Sequence, residues 1–221
     1  MKQALVLFSV TGSACQTLRQ LNYSVTSLDD GSGFVKRKEL ESMGTIVADI
    51  LTWDYTHYDK NIFDVVWASP PCRHYSCLLK CFRPHDDLEQ TYKEGDKYVL
   101  KALEIINYFE GIRWFIENPM TSALRDRPFM QSFSFVNVDY CQFAPEWGYQ
   151  KPTRIFHNGS KIKDVRCNRK TCEACITSGK TGRRIHRRCQ TQGMNGQRRI
   201  SGKVLYRVPE QLITYLAERE N

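Results

Sequence analysis

Phe63-Asp64-Val65-Val66-Trp67-Ala68-Ser69-Pro70-Pro71-Cys72-Arg73-His74-Tyr75-Ser76 decides how the chain is read. Its first six residues, apolar but for Asp64 and rich in β-branched and aromatic side chains, predict a strand over 63–68. Two prolines then stiffen the approach to a cysteine placed at the end of that strand. Arg73 and His74 beside it favour the thiolate. A nucleophile at a strand end is where an open α/β sheet gathers its chemistry.

Outward from this stretch, short apolar runs alternate with helical patterns. Strands are expected at Ala4–Phe8, Ser24–Leu28, Gly44–Ala48 and Arg113–Ile116. Helices are expected at Ser13–Leu21 and at Asp87–Phe109, where Leu88, Tyr92, Val99, Leu103 and Ile106 recur near a 3.6-residue period. Strands separated by helices argue a parallel, two-sided α/β sheet. With 221 residues, 41% of them apolar and 25% charged, the chain fits one domain with a small appendage. Disorder, collagen and long coiled coil are excluded by composition, and no apolar run reaches the roughly 18 residues of a membrane span. The opening Met1–Phe8 is too short and mixed for a signal peptide and reads as the first strand. The nine cysteines are therefore expected to be reduced, intracellular thiols rather than a disulfide framework.

The other strand ends extend the picture. Phe8-Ser9-Val10-Thr11-Gly12-Ser13 leads from the first strand into a helix, a place where backbone N–H groups suit a carboxylate or phosphate. Asp29 follows the second strand at the distance that suits ribose hydroxyls. Asp49-Ile50 follows the third, able to hold an adenine amino group and flank its ring. Together these favour an adenosine-containing cofactor. Glu117-Asn118-Pro119 follows the fifth strand, so adjacent strands deliver a thiol and a carboxyl to one crevice.

In this order and spacing the residues resemble the DNA (cytosine-5)-methyltransferase family. The family's marks are a Phe-x-Gly-x-Gly loop, an acid after strand two, an Asp-Ile pair, Pro-Cys followed by x-x-Phe-Ser, Glu-Asn-Val, and a Gln-x-Arg-x-Arg strand. Phe8–Ser13, Asp29, Asp49-Ile50, Pro71-Cys72-Arg73-His74-Tyr75-Ser76, Glu117-Asn118 and Gln150-Lys151-Pro152-Thr153-Arg154 stand in matching order over residues 4–157. The glycine loop keeps only Gly12, Pro119 replaces the valine, and Pro152 stands at the first arginine position. The compactness is that of a small, divergent, viral or phage-like member.

The resemblance implies a Rossmann-like sheet, S-adenosylmethionine as methyl donor, and transfer to C5 of a flipped cytosine in DNA through a covalent Cys72–C6 intermediate. It implies Cys72, Glu117 and Arg154 as catalytic residues, with Arg154 binding the base O2. Phe8, Gly12, Ser13, Asp29, Asp49, Ile50 and Pro70 would hold the cofactor, and Ser76, Asn118 and Gln150 the substrate. Cytosine C5 methylation of RNA such as tRNA, or an inactive DNA-binding relative, stand as alternatives.

Beyond residue 157 the texture changes. Residues 151–207 hold 16 of the 32 Lys and Arg but only two acids, Asp164 and Glu173, whereas the chain as a whole carries +8. A basic block on an acidic body points to a polyanion. We therefore expect a catalytic domain over 1–157, a target-recognition segment over 158–207, and a helix over 208–221 packing back on the sheet. Arg183, Arg184, Arg187 and Arg188 are the candidate nucleic-acid contacts. Cys167, Cys172, Cys175 and Cys189 have half of a zinc-site spacing in Cys172-x-x-Cys175, and a structural zinc is expected to staple a segment short of apolar mass. Cys15, Cys77, Cys81 and Cys141 read as structural, packing thiols. No membrane and no obligate protein partner are expected.

Overall fold

The computed structural model describes residues 1–79, 88–189, 198–200 and 202–217. Seven strands form one sheet: β1 (Gln3–Leu7), β2 (Ser24–Asp29), β3 (Ile46–Val47), β4 (Val65–Ala68), β5 (Arg113–Pro119), β6 (Ser134–Asp139) and β7 (Pro152–His157). Their order is β3-β2-β1-β4-β5-β7-β6. The first five run parallel, but β7 is antiparallel to β5 and β6 antiparallel to β7. The sheet is thus mixed rather than wholly parallel. No helix intervenes between β6 and β7; 3-10 turns at Tyr140–Gln142 and Pro145–Trp147 reverse the chain instead.

Strands buried on both faces need apolar residues at every position. In β1, Ala4 and Val6 meet one layer while Leu5 and Leu7 meet the other. On the first side, α1 (Ser13–Gln20) contributes Ala14, Cys15 and Leu18, and the C-terminal α5 (Glu210–Ala217) contributes Leu212, Ile213 and Leu216. On the second, α3 (Leu88–Tyr108) lays Val99, Ala102, Leu103, Ile105 and Ile106 against Leu5, Val66 and Ile116. A short α2 (Arg37–Ser42) precedes β3. The expected helices differ from α3 and α5 only at their ends; Asp87 and Glu218 lie outside the described residues. Among the described residues no helix is long and apolar enough to cross a membrane.

Past β7 the chain doubles back along β6, with Val165 bridging Val138. A hairpin of β8 (Cys175–Thr177) and β9 (Arg184–His186) follows, then β10 (Arg188–Cys189) beside β11 (Arg198–Arg199), and the short α4 (Gly202–Leu205). Cys15 is buried as expected, but Cys77 is exposed and is no packing thiol; Cys81 lies outside the described residues.

Candidate active site

The chain leaves β1 toward β2 on one side and reaches β4 on the other, so the order in which strands are added reverses between β1 and β4. Open α/β sheets bind ligands at that point, outside the carboxyl ends of the strands. A cavity of about 780 Å³ lies there, within the ordinary size of a small-molecule site.

One end of the cavity is built by the loops after β1, β2 and β3. Phe8, Ser13, Asp29, Asp49 and Ile50 line it, as does Pro70 from the loop after β4. The β1 loop is held in an unusual backbone path. Phe8 has φ 58°, Val10 φ 42° and Gly12 φ 69°. Val10 stands where the family pattern has its first glycine, and it adopts the left-handed conformation that a glycine would take freely. Its amide donates to Asp29 Oδ2 at 2.9 Å, and Gly31 N donates to Oδ1 at 2.9 Å. Asp29 is thereby fixed, and each oxygen keeps a lone pair for a further donor. Burial pushes its carboxyl above the ordinary range, against the pull of those two amides. Asp49 Oδ1 accepts from Leu51 N at 2.9 Å. Ser13 Oγ accepts from Val208 N at 3.0 Å, tying α1 to the C-terminal segment. Gly12 supplies the turn but is not among the lining residues.

The other end carries Cys72 and Glu117. Cys72 opens a single 3-10 turn, Cys72–Tyr75, directly after Pro70-Pro71. That turn is braced from behind. Gly95 of α3 lies so close that a Cβ there would sit 2.7 Å from His74 Cβ and 2.9 Å from the Tyr75 ring. Tyr75 donates its hydroxyl to Asp96 Oδ1 at 2.8 Å, and Arg127 clamps Asp96 and Glu89 with Nη bonds of 2.7 and 2.8 Å. Asn118 Nδ2 donates to the Pro70 carbonyl at 3.3 Å, joining the end of β5 to the cysteine loop. Glu117 is buried; its Oε1 accepts from the Tyr140 hydroxyl at 3.2 Å and lies 3.5 Å from Lys151 Nζ. Burial pushes the Cys72 thiol up, the Glu117 carboxylate pushes it further, and Lys151 draws it back down.

One residue of the expected catalytic set stands apart from the other two. Arg154 does not line the cavity. It pairs with Asn118 across β5 and β7, so the strand alternation sets it on the face opposite Glu117. Its Nε donates to Asn137 Oδ1 at 3.1 Å and its guanidinium lies over Phe135 at 4.6 Å. Lys36, Arg73 and Lys151 are the cations that line the cavity, and the one beside Glu117 is Lys151, three residues earlier, in a backbone at φ 37° and with its ammonium 4.5 Å from the Tyr140 ring. Ser76 Oγ accepts from Leu78 N at 3.3 Å and Gln150 Nε2 donates to Asp139 Oδ1 at 3.2 Å; neither lines the cavity. Sequence reading also passed over Phe34 and Tyr206, two exposed aromatics whose rings meet at 4.9 Å on the cavity wall. Only the fold brings residues so far apart in the chain together.

In the basic segment the four candidate arginines divide. All are exposed. Arg184 bonds the Arg169 and Cys172 carbonyls at 3.0 and 2.7 Å, and Arg187 bonds the Glu173 and Pro145 carbonyls at 3.2 and 2.6 Å. These two brace the segment's own backbone. The expected metal ligands also divide. Cys167 and Cys172 gather with Cys141 and His186 into a group able to hold a metal ion, whereas Cys175 and Cys189 fall outside it. Cys141, expected to be structural only, joins because the turn after β6 aims it into the segment.

No family model matches the chain. The Entamoeba histolytica methyltransferase EhMeth superposes with a TM-score of 0.53 at 12% identity, over 76% of this chain and 57% of that one. The S. pombe Dnmt2 methyltransferase superposes at 0.49 with 12% identity, over 73% and 52%. The chain spans little more than half the length of these solved structures. A Frog virus 3 (isolate Goorha) protein named "Probable DNA (cytosine-5)-methyltransferase" is 30% identical over 178 residues, covering 77% of this chain and 82% of the viral one. Likeness at that level across most of both chains, on a sheet of this topology, makes the chain a member of the DNA (cytosine-5)-methyltransferase family.

Proposed function

We propose that the protein methylates C5 of cytosine in DNA with S-adenosylmethionine as donor, through a transient bond between Cys72 Sγ and C6 of the base. The observation that carries this reading is the shared cavity: Cys72 and Glu117 stand at one end, Asp29 and Asp49 at the other.

The chemistry of the second end fits the donor. Asp29 has acceptor capacity for ribose hydroxyls, Asp49 for an adenine amino group, and Phe8 and Ile50 offer apolar faces for the purine. Ser13 and the left-handed turn at Gly12 leave room for the methionine carboxylate near the start of α1. When bound, S-adenosylmethionine supplies an electrophilic methyl group on a sulfonium.

Cytosine C5 is a poor nucleophile until the ring is activated. Cys72, as thiolate, adds to C6, which places negative character on C5. Glu117 meets N3 and the exocyclic amine and favours the protonated ring. Lys151 holds Glu117 in place and lowers the cost of the thiolate, and it takes the role of meeting the base O2. C5 then takes the methyl group; its proton leaves, and the freed electron pair expels Cys72 Sγ, giving 5-methylcytosine. The base must leave the duplex stack to enter the cavity, at a cost of a few kcal/mol. Phosphate contacts of the basic segment offset that cost.

A 5-fluorocytosine oligonucleotide blocks the last step, since fluorine cannot leave as a proton. With S-adenosylmethionine it should give a stable protein–DNA adduct, absent in Cys72→Ala. An adduct with RNA but not DNA would reassign the substrate. No adduct with either would overturn the reading.

A further inference from the structure

We infer that Cys141, Cys167, Cys172 and His186 bind one zinc ion, which fastens the basic segment to the catalytic sheet. The donor atoms of all four lie within 4.8 Å of one another. His186 Nε2 is 3.5 Å from Cys167 Sγ and 3.8 Å from Cys172 Sγ. A tetrahedral zinc with sulfur at about 2.3 Å and nitrogen at about 2.0 Å has sulfur–nitrogen edges of about 3.5 Å, close to these two distances. Three thiolates and an imidazole make a closed set of soft and borderline ligands. It leaves no position for water, which marks a structural site rather than a catalytic one.

Hydrogen-bond donors face two of the three sulfurs. Gln142 Nε2 donates to Cys141 Sγ and to Cys172 Sγ, at 3.7 Å each. The Ala174 amide donates to Cys172 Sγ. Asp139 Oδ2 accepts from Cys167 N at 2.7 Å and from Arg166 Nε at 2.9 Å, which fixes the loop that presents Cys167. Outer contacts of this kind orient metal ligands. As the metal binds, three thiols give up their protons to solvent and three sulfur–zinc bonds form.

The packing explains what the ion does. The only apolar cluster at this place consists of Cys141, Cys172, Ala174 and Cys175, with Cys167 against it, and holds no large side chain among the described residues. So small an apolar area cannot order a loop and a hairpin. The ligands come from three places: the turn after β6, the loop 167–172, and β9. Cys141 lies in the turn that directly follows β6 of the sheet, so a metal here joins the segment to the sheet rather than closing the segment on itself. The spacing-based set of Cys167, Cys172, Cys175 and Cys189 would not make that joint.

The test is metal content of the purified full chain after expression with zinc. Wild type is expected to carry one zinc per chain, as are Cys175→Ser and Cys189→Ser. Cys141→Ser and Cys172→Ser are expected to lose it, with affinity down at least tenfold. Because those variants could fail to fold, His186→Cys is the companion: it should keep one metal and, loaded with cobalt, show stronger sulfur-to-metal charge-transfer absorption than wild type. Chelation of wild type should sharply increase tryptic cleavage within 158–189. Metal-free wild type, zinc retained by Cys141→Ser but lost by Cys189→Ser, or unchanged proteolysis after chelation would each overturn the inference. None of these readouts uses methyl transfer, so they succeed or fail independently of the 5-fluorocytosine trap.

Discussion

At the scale of single residues, the Cys72 thiol is the group on which reactivity turns. Burial and Glu117 raise it, and Lys151 lowers it. A raised thiol is mostly protonated near neutrality, so its alkylation should accelerate with rising pH through and above the ordinary cysteine range. Glu117→Gln removes a charge that opposes the thiolate; alkylation of the free protein at pH 8 should speed up roughly three- to tenfold. Lys151→Met should slow it by a similar factor. Iodoacetamide rates against pH check both, and the opposite order would show that neither charge acts on the sulfur. Val10 offers a second measurement. A β-branched residue at φ 42° is strained, and Val10→Gly should stabilise the fold by about 1 kcal/mol net of glycine's entropy. A lower denaturation midpoint in urea would show that the valine side chain contributes more by packing than its backbone costs.

At the scale of elements, α3 is the brace of the cysteine turn. Gly95 meets His74 and Tyr75 where any Cβ would collide. Gly95→Ala should therefore push the turn away, costing about 1–3 kcal/mol of stability as overpacking does, and it should reduce adduct formation more than S-adenosylmethionine binding. Equal losses in both would place the damage in the whole fold rather than in the turn. The sequence disclosed α3 well because its apolar period persists over five turns. It disclosed β1, β2, β4 and β5 through their apolar runs, and Cys72, Glu117, Asp29 and Asp49 because strand ends are short in sequence. It did not disclose β6, whose Ser134, Asn137 and Asp139 dilute the apolar pattern, nor the antiparallel direction of β7, which two 3-10 turns set. Lys151 stayed hidden for a related reason. Family likeness drew attention to Arg154, while the φ of 37° that aims Lys151 into the cavity is a property of the folded turn. Spacing likewise favoured Cys175 over Cys141, since residues on opposite sides of β7 cannot be paired by counting.

At the scale of the whole molecule, cationic side chains concentrate in one span of the chain, and under the proposed function that span meets the nucleic acid. The span 151–207 carries 16 Lys and Arg, and the remainder of the chain is net acidic. Release of counterions then makes affinity fall steeply with salt. The arginines do not contribute alike. Arg184 and Arg187 are engaged with backbone carbonyls, and their loss should loosen the segment itself. Arg183 in the β8–β9 turn and Arg188 in β10 are exposed, and neither side chain braces a carbonyl among the described residues. Replacing both with alanine should reduce the slope of log affinity against log salt by about 2 for duplex DNA, since each phosphate contact contributes about 0.9. The melting temperature should stay unchanged. Arg184→Ala should do the reverse, lowering stability by about 1 kcal/mol through two lost carbonyl bonds while the salt slope changes little. Fluorescence anisotropy between 50 and 200 mM salt, on the order of the range where such slopes are resolved, measures the first, and thermal unfolding the second. An unchanged slope in the Arg183→Ala, Arg188→Ala double variant would remove the hairpin from the nucleic-acid contact and shift the polyanion face to the lysines and arginines nearer the cavity mouth.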